Sequence, residues 1–254
     1  MIDRSSGVPA YRQVAADLRE KIKSGNLSPG TQLPSERELV ESYGVSRVTV
    51  RDAVGLLRSE GVVTVEHGRG VFVRPPTTVQ RLSRSRLSRA ARDANQGMFL
   101  GDAAQGGFTP SVTVRIRFEP ADEATAQSLE IEDGTEVTVR DRVMRADGLP
   151  VQLAISRLPR DVTRQAPAVE QVETGQGGAY ARLEEAGFRL GHFNETVTAR
   201  MPTPDEASLL QLASGVPVIV VTRIAYTVDG KPVEVNDMIL SADRYELSYD
   251  IPAE

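Results

Sequence analysis

The chain has 254 residues, 40% hydrophobic and 26% charged, with a formal charge of −5, a composition ordinary for one or two globular domains and unlike a fibrous, low-complexity or disulfide-stapled protein. It contains no cysteine, and its two histidines, His67 and His192, lie far apart, so no disulfide, zinc centre, other metal or cofactor is expected. Residues 1–76 hold 11 Lys/Arg against 9 Asp/Glu, residues 77–97 hold 5 against 1, and residues 98–254 hold 14 against 25, so a polyanion is attracted only to the front of the chain. Met1–Ser5 begins no signal-peptide core, and no apolar run approaches the roughly 20 residues needed to span a bilayer. A cytoplasmic location without membrane contact is expected.

In chain order, Tyr11, Val14, Ala15, Leu18 and Ile22 form the apolar stripe of a first helix that ends near Gly25. Ser35 and Glu38 stand at capping-box spacing, which starts a second helix running to about Tyr43. Gly44 supplies the left-handed residue that ends it, and Ser46 caps a third helix reaching about Glu60 before Gly61. Helix, short glycine turn, helix is the helix-turn-helix pattern. At about 100° per residue, Arg47, Arg51 and Arg58 of the third helix fall within about 40° of one another, and Val50, Ala53, Val54 and Leu57 lie roughly a quarter turn away. An arginine stripe of this kind is either a solvated face or a surface that forks onto guanine edges and phosphates, with Ser46 and Thr49 reaching phosphate from the helix start. Val48 and Gly55 beside it are small enough for close approach to a groove. Two short β-branched runs, Val62–Val65 and Val71–Arg74, then flank Glu66-His67-Gly68-Arg69-Gly70, a hairpin with a glycine-rich tip. His67 and Arg69 at that tip can enter a minor groove, and Gly68 and Gly70 permit positive φ.

Tyr11-Arg12-Gln13-Val14, Leu27-Ser28-Pro29-Gly30, Leu33-Pro34-Ser35-Glu36-Arg37-Glu38-Leu39, Val45-Ser46-Arg47-Val48-Thr49-Val50-Arg51 and Glu66-His67-Gly68-Arg69-Gly70 together resemble the winged helix-turn-helix of GntR-type bacterial transcription regulators. The resemblance implies DNA contacts from Arg37, Ser46, Arg47, Arg51, His67 and Gly68. Val48 departs from the threonine frequent at its position, which removes one expected polar contact and leaves room for a contact to a thymine methyl group.

Pro75-Pro76 ends the wing. Arg81, Arg84, Arg86, Arg89 and Arg92 follow, either as extra phosphate contacts or as a solubilised tether. The expected organisation is a DNA-binding domain over 1–76, an Arg-rich linker over 77–97 and a second domain over 98–254. That second domain repeats itself: Pro120-Ala121-Asp122-Glu123-Ala124 returns as Pro204-Asp205-Glu206-Ala207, and Asp147-Gly148-Leu149-Pro150-Val151 as Asp229-Gly230-Lys231-Pro232-Val233, about 82 residues on. Each copy reads strand, helix, strand, hairpin, strand. The first predicts strands at 111–118, 136–145 and 150–157 around a helix at 122–129; the second predicts strands at 192–201, 216–227 and 232–241 around a helix at 203–212. A further helix is expected over 178–186, closed by Gly187. The predicted fold is α+β, a six-stranded antiparallel, internally duplicated sheet with helices on one face.

Arg142-Val143-Met144-Arg145-Ala146-Asp147-Gly148-Leu149-Pro150, Leu158-Pro159, Asp229-Gly230-Lys231-Pro232-Val233-Glu234 and Asp243-Arg244-Tyr245 make residues 98–254 similar to the UTRA ligand-sensing domain of the HutC subfamily, which shares its fold with chorismate lyase. This implies a homodimeric regulator, most often a repressor, that binds an inverted-repeat operator in double-stranded DNA and responds to a small-molecule effector. Strand period two places Arg140 and Arg142 on one face with Thr138 and Met144, where the guanidinium groups either hold an anion or pair across strands. Phe99, Arg140, Arg142, Ser156, Glu195 and Glu234 are the expected effector residues, although Glu195 and Glu234 also suit a solvated strand face. Ala154 stands where relatives that bind sugar phosphates carry glutamate, and Phe99-Leu100 lacks their serine, which argues against a phosphosugar. Turnover in the manner of chorismate lyase is disfavoured, because this half has no cysteine, one histidine and no nucleophile beside a base.

Overall fold

The computed structural model describes residues 2–3, 5–66, 68–74, 80–83, 99, 103 and 106–248. By internal contacts the chain divides into two compact units, Met1–Thr78 with Leu212–Val216, and Val79–Gln211 with Pro217–Glu254.

The first unit contains α1 (Ala10–Lys23), α2 (Glu36–Tyr43), α3 (Arg47–Ser59), β1 (Val63–Glu66) and β2 (Gly70–Val73). Its core is the meeting of two helical stripes: Val14, Ala15 and Leu18 from α1 against Val50, Ala53 and Leu57 from α3, closed by Leu33, Leu39, Val63 and Val73. Burying such aliphatic side chains contributes about 1.5–3 kcal/mol each before conformational entropy is set against it. The turn between α2 and α3 is set by local chemistry. Ser35 accepts from the Glu38 amide while Glu38 accepts from the Ser35 amide, Gly44 ends α2 at φ 63°, and Ser46 accepts from the Thr49 amide at the start of α3. Ser35→Ala is expected to lower stability by about 1 kcal/mol, read as a lower urea midpoint for the unfolding of this unit; an unchanged midpoint would show that the cap contributes nothing. The wing pairs Val63 with Val73 and Glu66 with Gly70.

The second unit is built on an antiparallel sheet in the order β4 (Pro110–Pro120), β5 (Glu136–Ala146), β6 (Leu149–Pro159), β9 (Pro232–Ser241), β8 (Val218–Thr227), β7 (Leu190–Arg200). The duplication is visible in its register. In each copy a proline stands at or next to the start of the third strand, second in β6 and first in β9, and lacking an N–H it cannot donate to the ladder. The pairing therefore slips beside it, from Met144↔Gln152 to Arg145↔Pro150 in the first copy and from Ala225↔Glu234 to Tyr226↔Pro232 in the second. Val151 and Val233 are the extra residues, and both are buried. The two Asp-Gly turns differ, however. Asp147 and Gly148 both take positive φ in a two-residue turn, whereas only Gly230 does so in the longer Val228–Lys231 connection.

The helices do not share one face. Helix α4 (Glu123–Leu129) packs Ala126 and Leu129 against Val137, Val139 and Val235. The alternating residues Thr138 and Arg140 point to the other side, where α5 (Arg160–Gln165), a 3₁₀ turn at Pro167–Glu170 and α6 (Gly178–Glu185) gather Val162, Val169, Tyr180 and Leu183. The helix of the second copy, α7 (Pro204–Leu209), starts at a capping box from Thr203 to Glu206. Within the stretch read as linker, β3 (Gln80–Ser83) pairs in parallel with β10 (Tyr245–Ser248); neither run is long or alternating enough to be read as a strand from sequence. Arg84, Arg86, Arg89, Arg92 and Leu100 lie outside the described residues.

Candidate functional site

Two sites can be built from these elements. In the first unit, α3 presents Arg47, Val48, Arg51 and Arg58 outward, all exposed, with Val48 at 66%. Val48 thus lies exposed between two arginines, on the helix whose Val50, Ala53 and Leu57 are buried in the core. Arg47 has no hydrogen-bond or ion-pair partner among the described residues. Arg51 is engaged side-on by Glu36 of α2, with Nε 2.5 Å from Oε1 and Nη2 donating to Oε2 at 3.2 Å. The Ser46 hydroxyl is occupied as the cap and lies 2.9 Å from the Thr49 hydroxyl, so these two form one polar corner at the helix start. Arg37 is exposed and loosely paired with Glu41 at 3.9 Å. In the wing, Gly68 has φ 73° with open space around it. The Arg69 guanidinium lies 5.5 Å from the centroid of the Phe72 ring, and the Arg69 carbonyl accepts from Gln32. Gly70 takes φ 123°, a conformation that favours glycine whatever the space, with the Gln32 side chain packed close against it. His67 lies outside the described residues.

In the second unit a cavity of about 560 Å³ opens over the sheet, lined by Phe99, Arg140, Arg142, Glu234 and Asn236 and by the segment Val172–Tyr180. Cross-strand register assembles its floor: Arg140 faces Ser156 across the β5–β6 pair and Ser156 faces Asn236 across β6–β9. Arg140 donates to the carbonyls of Val169 and Gln171, and Arg142 to the Ser156 hydroxyl and Asn236 Oδ1. Among the described residues neither guanidinium has an ion-pair partner, and the Nε of each and one oxygen of buried Glu234 lack any hydrogen bond. Burial, then the adjacent Arg142, lowers Arg140 to about 10 against the opposing pull of Glu234, and burial likewise lowers Arg142. Both guanidinium groups are desolvated, and the charge of Glu234 opposes the shift of each without an ion pair to either among the described residues. Burial also raises the Tyr180 hydroxyl above an ordinary phenol, so it stays a neutral donor.

Sequence reasoning placed Phe99, Arg140, Arg142 and Glu234 among the effector residues, and all four line this one cavity. Ser156 and Glu195 are absent from its lining: Ser156 is covered by the Arg142 guanidinium, and Glu195 pairs with buried Arg223 at 2.5 Å. Tyr180, Asn236 and the glycine-rich turn Gly175–Gly178 were not anticipated. Strand alternation from Glu234 would have found Asn236, whereas nothing in the turn's own pattern marks it as a wall. Phe99 and Met144, which line the cavity, share a core with Tyr245 of β10, the strand that pairs with β3.

The bacterial regulatory proteins, gntR family, match residues 10–73, and the UTRA domain matches residues 104–246. The chain is 36% identical to the HTH-type transcriptional regulator Rv0792c of Mycobacterium tuberculosis, over 99% of this chain and 88% of that one. It is 29% identical to the HTH-type transcriptional repressor NagR of Bacillus subtilis, over 96% and 95% of the two chains. A crystal structure of a GntR-family transcriptional regulator, 31% identical, superposes with a TM-score of 0.70 over 97% of this chain and 98% of that one. These are regulators of transcription rather than enzymes, and among the described residues no helix is long and apolar enough to cross a membrane. The chain belongs to the GntR family of bacterial regulatory proteins: it is a DNA-binding transcriptional regulator whose C-terminal half is a ligand-binding UTRA domain.

Proposed function

We propose that the protein is a cytoplasmic repressor that binds an inverted-repeat operator as a homodimer and is released when an anionic small molecule occupies the cavity of its C-terminal domain. In this reading residues 1–76 are the DNA reader, 77–97 an Arg-rich linker and 98–254 the sensor and dimerisation domain. Arg47, Arg51 and Val48 face base edges, Ser46, Thr49 and Arg37 face phosphate, and the wing residues His67, Gly68 and Arg69 lie along the backbone and minor groove. One observation supports the sensor half: among the described residues, two buried guanidinium groups without an ion-paired carboxylate converge on one cavity with a Glu234 oxygen, Oε2, that accepts no hydrogen bond. An anion offsets the cost of keeping those cations out of water, and a hydroxyl or amine on the same ligand satisfies Glu234. The similarity to a relative named as a repressor favours repression over activation. A thermal-shift panel of carboxylate and phosphate metabolites tests the sensor; silence from every anion, with neutral compounds shifting the melting point instead, would refute it. Arg37→Ala is expected to weaken every duplex about equally and to reduce the salt slope by about one. A change in sequence preference in a salt titration would place Arg37 at a base instead.

A further inference from the structure

Glu36 is the first residue of α2, one position after the capping serine, and its carboxylate grips the only arginine of α3 that has an ion-pair partner among the described residues. An acid at a helix start is favoured by the helix dipole, which explains a carboxylate there but not the direction in which it is turned. The carboxylate approaches one edge of the guanidinium: Oε1 lies 2.5 Å from Nε without accepting a hydrogen bond, and Oε2 accepts from Nη2. A guanidinium approached from its Nε edge turns its Nη1–Nη2 end outward, and that end is the one spaced to fork onto guanine O6 and N7. Arg51 is otherwise 70% exposed, and Glu36 is 37% exposed on its side chain. A long side chain in that situation samples many rotamers and reaches any nearby phosphate; pinned by Glu36, it gives up much of that freedom before DNA arrives. The same carboxylate sits where a phosphate would otherwise be drawn to Arg51, so it also repels the backbone from this guanidinium.

We propose that Glu36 is a specificity-determining positioning residue: it fixes which edge of Arg51 meets the DNA, trading non-specific affinity for base discrimination. The proposal rests on Arg51 facing a base edge, and the experiment separates the two. The full-length wild-type protein, Glu36→Gln, Glu36→Asp and Arg51→Ala are each used to select duplexes from a random library, and their binding to a selected duplex and to random competitor is then measured. Glu36→Gln keeps the shape and removes the charge. It is expected to lose about tenfold of the preference at one base position per half-site, the position lost by Arg51→Ala, while binding to random duplex holds or tightens. Glu36→Asp is expected to recover part of the preference. Unchanged selection by Glu36→Gln, with Arg51→Ala altered, overturns the proposal and leaves Arg51 as a base reader. Unchanged selection by Arg51→Ala, or no selection by the wild type, overturns both. An equal loss on selected and random duplexes would mark Glu36 as a fold residue and also overturn it.

Discussion

Replacing Arg140 and Arg142 together by alanine is expected to leave DNA binding intact and to abolish the response to effector. The two guanidinium groups are the cavity's only lining cations among the described residues, and no α3 residue belongs to their unit. An anion bound in the wild type at a hundredfold excess over its Kd adds about 2.7 kcal/mol of stability, and that increment should vanish in the double variant at the same concentration. Arg140 also ties down the carbonyls of Val169 and Gln171, so the unliganded variant is expected to melt lower while its wing and recognition helix still bind DNA. A variant stabilised by the same compound to the same extent would move the binding site elsewhere.

Arg51→Ala and Arg47→Ala should each cost about 1–3 kcal/mol of operator binding and relax base preference at one position of each half-site. The two differ in their surroundings. Arg47 has no partner among the described residues, so its loss removes a cation and little else, and the salt dependence of binding should shrink. Arg51 leaves Glu36 behind, a carboxylate facing the DNA without its partner, so Arg51→Ala should be the more damaging of the two. Footprinting both variants on one palindromic site checks this; unaltered protection by both would remove α3 from the groove.

What could be read from the chain before its structure was known follows a physical division. The Ser35–Glu38 box, the Gly44 turn and the Ser46 cap are interactions between residues four or fewer apart, so local sequence specifies them. The side on which Thr138, Arg140, Arg142 and Met144 fall is equally local, because strand alternation admits no other arrangement. The walls of the cavity are different. Arg140 finds its carbonyls about 30 residues downstream, in a segment with no periodicity, and only tertiary packing brings α5, the 3₁₀ turn and α6 onto that side of the sheet. Ser156 and Glu195 lie outside the lining for a related reason: alternation gives the face, but not which side chain lies uppermost on it. Arg142 covers one, and Arg223 holds the other. The Arg51–Glu36 contact joins two helices across the turn; capping rules marked Glu36 as a helix-start residue and were silent about its partner.

A competition binding assay tests most directly whether the front of this chain reads sequence under control of its back. Purified full-length protein is mixed at moderate ionic strength with a duplex it has itself selected and with an excess of random duplex, in the presence and absence of an anion that shifts its melting point. Binding to the selected duplex should survive the competitor and fall when the anion is added. Equal binding to both duplexes, whether or not the anion is present, would contradict it.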